Sequence, residues 1–520
     1  MSALLTGNLP LIADAPDGIR KLRGLILELA VRGKLVPQDP NDEPASELLK
    51  RIAAEKAQLV REEKIKKDKL SPPKHAKLPP FNLPLGWAWA RLADTVAVVT
   101  DGDHQPPPKT DSGIPFLVIG DLNTGRISFN GCRFVSTTYF ESLDWSKRPT
   151  TGDVLYTVTG SFGIPIPVVE KSPFCVQRHV AILKAATSSP VAYLLPYMQS
   201  LSAKAFAQTI ATGTAQKTVP LSGLREMPIA LPPVAEQRRI VAKVDELMAL
   251  CDQLEAEQAD AEAAHARLVD ALLAALTRST DADDFAANWH RLAAHFDTLF
   301  TTAAAIDALK QTVLQLAVMG KLVPQDPDDE PASEFLTLIS QERVQLEAKG
   351  TAKKWKPRLP VEGDEQPFEL PNGWEWARLG DLGLLGSSSR VHQKDWTDRG
   401  VPFYRAREIV KLSQNGFVRN ELYISEALFE SLSASGLVPA ENDLMVTGVG
   451  TIGVPYIVNK ADKFYFKDAS VLIFKNYHRL CAKYIFTFMT SPFWVNKIHE
   501  KSMGTTVDTL TIARAKETLI

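Results

Sequence analysis

One peptide occurs twice in this chain. GKLVPQDPNDEPASELL at residues 33–49 returns as GKLVPQDPDDEPASEFL at residues 320–336. Two further stretches recur at nearly the same spacing: GWAWARL (86–92) as GWEWARL (373–379), and GDVLYTVTGSFGIP (152–165) as NDLMVTGVGTIGVP (442–455). The repeating unit is far longer than the ~50 residues of solenoid repeats. The sequence therefore predicts that a whole domain has been duplicated together with its flanks.

Length and composition indicate a multidomain globular protein. The chain has 520 residues, of which 45% are hydrophobic and 23% charged, which predicts three or four structural units. No apolar run approaches the roughly 20 residues that cross a bilayer. The N-terminus lacks the basic and apolar regions of an export signal. The four cysteines show neither disulfide nor zinc spacing, so free thiols and a cytoplasmic location are expected.

The repeat divides the chain into helical and mixed segments. Short β-like runs such as DVLYTVTG and DLMVTGVG, separated by turn residues, precede helical stretches, so an α+β fold class is expected for both copies. The expected domains are an N-terminal helical region, a first α+β module, a central helical region and a second α+β module: residues 1–82, 83–231, 232–369 and 370–520.

A long amphipathic helix is predicted after the first module. Apolar residues step by four and three positions, which is the heptad seam of a coiled coil. The seam consists of Ile240, Val244, Leu247, Cys251 and Leu254, then the weaker Gln258, Ala261 and His265, then Leu268 and Leu272. A helix from Val234 to Ala275 would be roughly 63 Å long. Such a helix needs a partner helix to cover its apolar stripe.

No catalytic or metal-binding residue is predicted. Residues 448–453 match GxGxxG, but an extended segment follows where a dinucleotide site requires a helix. A glycine-rich turn is therefore the preferred interpretation, although such a turn could still let the backbone approach a phosphate. The DGDH stretch (101–104) has two carboxylates and a histidine, whereas the second copy has LGSSSRVHQ in that region. A shared acid–base or metal role is thus not supported.

The two modules keep their entrances and differ in their interiors. This pattern is typical of two binding modules with different ligands. Although the net charge is −2, each module has a slight excess of basic residues, so a nucleic-acid surface would have to form by local clustering. The densest cluster consists of Arg390, His392, Lys394, Arg399, Arg405, Arg407 and Lys411. A merely solvated basic face is the alternative for any one of them.

Several motifs together resemble a known family. They are the GWxWxRL entrance, TDGDH, GDVLYTVTGSFG, GTAQKTVPL and, above all, LPPVAEQRRIVAKVDELMALCDQLE at residues 231–255. The chain is similar to the specificity subunits of type I restriction–modification systems. The resemblance implies two target-recognition domains that each read one half of a split DNA site. It also implies long conserved helices that form an antiparallel, coiled-coil-like spacer and bind methyltransferase subunits.

The resemblance also implies roles for individual residues. The positions expected to bind DNA in the first module are Thr100, Asp101, Gly102, His104, Lys109, Ser161, Phe162, Gln216 and Lys217. Those in the second module are Ser388, Arg390, His392, Arg405, Arg407, Gly450 and Thr451. The alternative for Gln216 and Lys217 is a helix cap. The residues expected to dock a partner subunit are Glu236, Gln237, Ile240, Val244 and Leu247.

The implied partners are double-stranded DNA, two methyltransferase subunits and restriction/translocase subunits. No cofactor is expected in this chain. S-adenosylmethionine, ATP and Mg²⁺ are expected in the partner subunits. A function of another class remains open, namely a coiled-coil scaffold whose two modules bind proteins. A third interpretation, a nuclease, would require this chain to cleave DNA without any other subunit.

The end of the chain leads to one further expectation. The last residues, LTIARAKETLI, match the run that precedes LPPVAEQ in the first copy. A second long helix is therefore expected to be missing through truncation. One face of the central helix should then be poorly covered unless a partner supplies a helix.

Overall fold

The structure, a computed structural model, forms two compact units, Met1–Ala261 and Glu262–Ile520. Both contain helices and sheets, so the fold class is the expected α+β. The structure describes the following residues: 15, 17–65, 81–104, 108–214, 216–348, 361, 363–476, 480–500 and 508–520.

The first unit opens with two helices, α1 (Gly18–Val31) and α2 (Ala45–Arg61). Apolar residues at helical spacing bury one face of α1, including Leu22 and Ile26. Gly33 follows this helix with a φ of +64°, and a Cβ there would lie 2.5 Å from Cγ of Pro84. Glycine therefore fits the C-terminal turn where a larger residue would not. Gly320 repeats the geometry with a φ of +68° and the same 2.5 Å approach to Pro371.

The first module consists of short strands and helices. The strands are β1 (Ala88–Arg91), β2 (Val98–Asp101), β3 (Ile114–Leu117), β4 (Arg133–Val135), β5 (Val154–Thr157), β6 (Pro165–Pro167), β7 (Cys175–Val176), β8 (Val180–Lys184) and β9 (Pro228–Leu231). The helices are α3 (Leu92–Thr95), α4 (Thr137–Ser142), α5 (Val191–Gln199), α6 (Leu201–Ile210) and α7 (Leu221–Arg225). Two 3₁₀ turns lie at Ile119–Asp121 and Trp145–Lys147.

Three sheets organise the described part of this module. The largest has the order β2–β8–β5–β6 and is antiparallel throughout. Its strands β5 and β8 are buried along their whole length. A smaller sheet has the order β4–β3–β7, in which β3 and β7 are parallel. The pair β1–β9 joins the entrance of the module to its exit, with Ala88 opposite Leu231.

Helix α8 (Val234–Arg278) is 45 residues long and extends from the first unit into the second. In the first unit, the predicted seam residues Ile240, Val244, Leu247 and Cys251 are buried in one apolar cluster with residues of α1. Arg23 of α1 also forms ion pairs with two carboxylates of α8, at 2.6 Å and 2.8 Å. Helix α1 therefore covers this part of the stripe, which the sequence had left to an unspecified partner.

Further along α8 the predicted heptad seam is only partly buried, with Leu272 packed against the apolar cluster of the second unit. Gln258, Ala261 and Leu268 are exposed. The residues buried in the second unit are Val269, Leu273 and Leu276, because they pack with Leu292, Leu299 and Leu316 of that unit. The burial of α8 is thus set by local packing within each unit rather than by one continuous 3.5-residue repeat.

The second unit repeats the plan. It begins, after α8, with the helices α9 (Ala282–Ala293), α10 (Phe296–Leu299), α11 (Ala303–Val318) and α12 (Ala332–Ala348). The second module follows them. Its strands are β10 (Leu384–Gly386), β11 (Trp396–Thr397), β12 (Val401–Tyr404), β13 (Tyr423–Ile424), β14 (Leu444–Thr447), β15 (Pro455–Ile457), β16 (Tyr465–Phe466) and β17 (Val471–Lys475). Its helices are α13 (Leu379–Leu382), α14 (Ala406–Asn415), α15 (Glu426–Ser435), α16 (Ala482–Thr490), α17 (Pro492–His499) and α18 (Ile512–Glu517), with 3₁₀ turns at Gly363–Glu365 and Gln393–Asp395.

The sheets of the second module follow the strand order of the first, with one additional strand, β11, in the smaller sheet. The order β10–β17–β14–β15 corresponds to β2–β8–β5–β6, and all its pairs are antiparallel. In the second sheet, β11–β13–β12–β16, the β12–β16 pair is parallel, as β3–β7 is. Shared strand order and shared pairing direction make duplication of a whole module the simplest description of both units.

Candidate nucleic-acid interface

One end of the sheet β2–β8–β5–β6 collects loops that are distant in sequence; we call it the first loop edge. Both β2 and β5 run antiparallel to β8, with Asp101 opposite Ala181 and Thr157 opposite Val180. The C-terminal ends of β2 and β5 therefore lie beside the N-terminal end of β8. This pairing brings residues 101–104, 158–164 and 177–179 to the same edge.

A threonine hydroxyl holds the turn between β5 and β6. Oγ1 of Thr157 donates to the carbonyl of Ser161 at 2.8 Å and accepts the amide of Ile164 at 3.1 Å. The amide of Gly160 donates to the carbonyl of Lys217 at 3.0 Å. These bonds present Ser161 to solvent and bring the predicted residues of both segments together.

Gln216 and Lys217 are not a helix cap. They are exposed in the segment that bridges to Thr159, and α7 begins later, at Leu221 after Pro220. The half-buried Phe162 packs against the main apolar cluster of the first unit. Of the residues predicted in these two segments, Ser161, Gln216 and Lys217 are therefore the ones with exposed side chains.

The acidic loop after β2 is held firmly. A Cβ on Gly102 would lie 1.9 Å from the carbonyl oxygen of Val176, so only glycine fits there. Asp103 accepts from the hydroxyl of Tyr139 at 2.8 Å and from Nζ of Lys147 at 3.3 Å. Burial alone would raise the pKa of Asp103, but these donors more than offset it and lower the pKa. Asp103 is thus an ionised anchor of the loop.

The other predicted residues of the first module lie in different settings. His104 is exposed, with Nε2 3.1 Å from a carboxylate oxygen of Asp101. Thr100 is part of β2 and pairs with Ile182. Lys109 is exposed next to the bridge between Thr110 and Phe134, at the outer edge of the smaller sheet rather than at the first loop edge.

Sequence reasoning missed two residues at this edge, Arg178 and His179. They immediately precede β8, and Arg178 is exposed. Nδ1 of His179 lies 3.1 Å from Oγ1 of Thr159. Burial, together with the charge of Arg178, lowers the pKa of His179, so its imidazole is neutral at neutral pH. The signal for both was their position directly before β8, a largely apolar strand that is buried along its whole length.

The corresponding end of the second module, the second loop edge, has the same turn. Oγ1 of Thr447 donates to the carbonyl of Thr451 at 2.5 Å and accepts the amide of Val454 at 2.9 Å. The GxGxxG match lies in this turn and leads into β15, as predicted, so no helix follows it. Gly450 has a φ of +80° and is exposed, as is Thr451.

The serine-rich segment after β10 serves partly to hold the protein together. Oγ of Ser388 donates to the carbonyl of Phe466 at 2.7 Å, and the amide of Ser389 donates to the hydroxyl of Tyr465 at 2.9 Å. Arg390 and His392 follow and are exposed. The two basic side chains, rather than Ser388, are therefore available to a ligand.

Four predicted residues line one cleft of about 320 Å³ in the second module. They are Arg405, Arg407, Gly450 and Thr451. Lys467 lines the same cleft and was missed, because it comes from a distant part of the sequence. The structure thus brings the start of α14 and the 448–453 turn together.

The residues predicted to dock a partner subunit require a correction. Glu236, Gln237, Ile240, Val244 and Leu247 are between 0% and 6% exposed. Glu236 accepts hydrogen bonds from Nε1 of Trp87 and Nε2 of Gln38, each at 2.9 Å. Burial raises the pKa of Glu236 despite these two donors. All five positions pack the chain's own fold, so they do not form a surface for another subunit.

Among the residues that the structure describes, no group of three or more His, Cys, Asp or Glu side chains could hold a metal ion. No described helix is long and apolar enough to span a membrane.

Comparisons with known proteins give a consistent result. A family model described as "Type I restriction modification DNA specificity domain" matches residues 101–263. The specificity subunit of the Escherichia coli type I restriction enzyme EcoAI is 39% identical over an alignment of 505 residues, which covers 92% of this chain and 82% of that protein. The chain belongs to the family of type I restriction enzyme specificity subunits. The EcoEI specificity subunit of Escherichia coli is a shorter match, 46% identical over 70% of this chain and 62% of its own length.

Solved structures of the family resemble the chain more distantly. The HsdS subunit from Thermoanaerobacter tengcongensis has a TM-score of 0.41 at 15% identity, covering 85% of this chain and 86% of that one. A chain from a study of type I R-M complex assembly and conformational transition has a TM-score of 0.43 at 16% identity, covering 85% and 87%.

Proposed function

We propose that this member of the family is the DNA-recognition subunit of a type I restriction–modification complex, with each module reading one half of a bipartite site. The observation that carries the proposal is the repeated loop edge. In both modules a threonine hydroxyl holds the same turn, while the exposed side chains around it differ. One framework that presents two different sets of side chains is what two unlike half-sites require.

The chemistry of the two edges suits duplex DNA. Arginine, lysine and histidine side chains at an exposed edge can contact phosphates, which supply most of the affinity, and base edges, which supply the specificity. Exposed candidates are His104, Arg178 and Lys217 in the first module and Arg390 and His392 in the second. Because both modules belong to one chain, binding of one half-site raises the effective concentration of the other module at its own half-site.

The remaining parts of the proposal concern the complex. Members of this family work with other subunits, and we assign two methyltransferase subunits and restriction/translocase subunits as the partners. S-adenosylmethionine, ATP and Mg²⁺ would be bound by those partners in the cytoplasm. The surface for them would be formed by exposed residues of the helices, such as those between Cys251 and Val269 of α8, instead of the five buried positions. No observation favours the alternative of a protein-binding scaffold.

Two experiments test the proposal. Sequencing of modified bases in the host genome should reveal a split adenine-methylation motif that disappears when the gene is deleted. Replacement of residues 86–231 by the corresponding module of another family member should change one half of that motif and leave the other half unchanged. A motif that changes in both halves, or in neither, would contradict one module per half-site. DNA binding that ignores both salt and sequence would favour the scaffold instead.

A further inference from the structure

The cleft in the second module is lined on one side by the start of α14 and on the other by the 448–453 turn. Its polar lining consists of Arg405, Arg407, Thr451, Lys467 and Ser470, with Gly450 contributing backbone. A Cβ on Gly450 would meet no protein atom within 4 Å. The turn therefore borders open space, which a ligand can approach closely.

A buried carboxylate orients the two arginines. Glu408 is 2% exposed and accepts from Nε and Nη2 of Arg405 at 3.1 Å and 3.0 Å. It also accepts from Nε of Arg407. Burial would raise the pKa of Glu408, but the hydrogen bonds from the arginines more than offset it and lower the pKa, so the carboxylate is ionised. Glu408 is thus a positioning residue that fixes both guanidinium groups at the rim of the cleft.

Positive charge exceeds negative charge around the cleft. The exposed Glu421 pairs with Arg407 and lies 3.8 Å from Arg405. Lys467 is exposed and has no ion-pair partner among the residues that the structure describes. Three cations therefore face two carboxylates, and one of these carboxylates is at the surface where a ligand can compete with it.

In the first module the corresponding backbone makes the same hydrogen bonds, but the side chains at the positions of Arg405 and Lys467 carry no charge. The amide of Val118 donates to Asp121 at 2.8 Å, as the amide of Arg405 donates to Glu408 at 3.0 Å. The amide of Gln177 donates to the carbonyl of Leu117 at 2.9 Å, as that of Lys467 donates to Tyr404 at 2.8 Å. Valine and glutamine thus occupy the places of Arg405 and Lys467. The cationic set is a property of the second module, not of the shared framework.

We propose that this cleft binds one backbone phosphate of the DNA next to the second half-site, through Arg405, Arg407 and Lys467. This inference rests on the proposed function and adds Lys467 to the site. The guanidinium groups match phosphate geometry, and the first turn of α14 adds a favourable dipole. A nucleotide is a poorer occupant, because the glycine-rich turn is followed by a strand rather than by the helix that a diphosphate site needs.

The test is the salt dependence of binding by the full chain to a duplex that carries both half-sites. Neutralising one phosphate contact makes the slope of log K against log[salt] shallower by about 1. We expect this change for Lys467→Gln, with weaker binding at every sequence tested. Glu421→Gln should tighten binding, because it removes the exposed carboxylate that pairs with Arg407. Lys460→Gln is the matched control, since Lys460 is exposed beyond the C-terminal end of β15, away from the second loop edge.

The outcomes separate the two proposals. If the unaltered chain binds no duplex in a salt-dependent way, the proposed function fails and this inference with it. If it binds, but Lys467→Gln keeps the slope of the unaltered chain, only the cleft assignment is overturned. The assignment is also overturned by a second result. In that case, ATP or inorganic phosphate binds the unaltered chain but not the Lys467→Gln variant, while the salt slopes of the two proteins for DNA binding are equal. The assignment is supported if Lys467→Gln has a shallower slope, Lys460→Gln keeps the slope of the unaltered chain, and Glu421→Gln binds DNA more tightly.

Discussion

The two loop edges of the molecule share their scaffold and differ in what they expose. At the first edge, an acidic loop is held by Tyr139 and Lys147 through Asp103. At the second edge, serines occupy the corresponding segment and hydrogen-bond to backbone, as Ser388 does with Phe466. The bonds that hold each turn come from backbone and one threonine. The outward side chains can therefore change without disturbing the fold, which is what divergent recognition by duplicated modules requires.

The largest expected effect comes from an ion pair that both modules contain. Nζ of Lys184 lies 2.5 Å from Asp153, and both side chains are 3% exposed. In the second module, Lys475 lies 2.6 Å from Asp443, with exposures of 12% and 4%. Removing one member of a buried pair leaves an uncompensated charge, which costs about 3–5 kcal/mol. We expect Lys184→Met to reduce the free energy of unfolding by this amount, and Lys475→Met to reduce it by less.

Equilibrium urea unfolding of the full chain measures both losses. Lys171→Met is the control, because Lys171 is exposed in the first module and should have almost no effect. The double change Lys184→Met with Asp153→Asn should recover part of the loss, because the amide side chain carries no charge and its oxygen can still accept from the backbone amide of Ala185. Equal losses at Lys184 and Lys475 would show that the difference in burial between the modules has no energetic consequence.

The parts that could be predicted from sequence are those with a local cause. Repetition of whole segments predicts duplication, and alternation of apolar runs with Gly, Pro and Asn predicts strands joined by turns. The 448–453 turn was correctly assigned because the residues that follow it, Val454 to Val458, are typical of a strand. The side chains that meet at a loop edge were predicted only where a motif marked them.

The parts that could not be predicted depend on long-range packing. A seam such as Ile240, Val244 and Leu247 looks the same in sequence whether another subunit or the chain's own α1 covers it. Lys467 and Arg178 belong to no motif and reach the site only because β12 pairs with β16, and β2 and β5 pair with β8. Such contacts depend on the order in which the strands pair in a sheet, and this order is not visible in the sequence.

An intermediate effect is expected for the hydroxyls that hold the two turns. Thr157→Val keeps the shape of the side chain but leaves the amide of Ile164 and the carbonyl of Ser161 without their partner. Loss of a hydrogen bond with partly buried partners costs about 1–3 kcal/mol. We expect Thr157→Val to lower the free energy of unfolding by this amount and to weaken binding of the first half-site only. Thr447→Val should instead weaken binding of the second half-site only. Binding to duplexes with one half-site scrambled measures the difference.

The control for these variants is Thr151→Val, whose hydroxyl donates to the carbonyl of Glu170 at an exposed position. It should change neither stability nor half-site affinity appreciably. If Thr157→Val weakened both half-sites equally, the turns would not act separately, and the comparison of two independent edges would break down.

The smallest expected effect concerns the hydrogen bonds that two tryptophans, Trp87 and Trp374, donate at the entrances of the two modules. Nε1 of Trp87 donates to the buried Glu236, whereas Nε1 of Trp374 donates to Gln325 at 2.9 Å. Burial raises the pKa of Glu236 above its ordinary 4.5, so the folded chain binds this proton more tightly than the unfolded chain does. The contribution of Glu236 to stability is therefore greatest below pH 4.5 and declines as the pH rises through the folded pKa.

Glu236→Gln removes this titration and makes the contact resemble that of Trp374. The difference in free energy of unfolding, unaltered chain minus variant, should fall as the pH rises from about 4.5 and then level off. A difference that grows with pH would mean that Trp87 and Gln38 stabilise the carboxylate more than burial destabilises it. The two entrances would then differ in net charge as well as in hydrogen bonding.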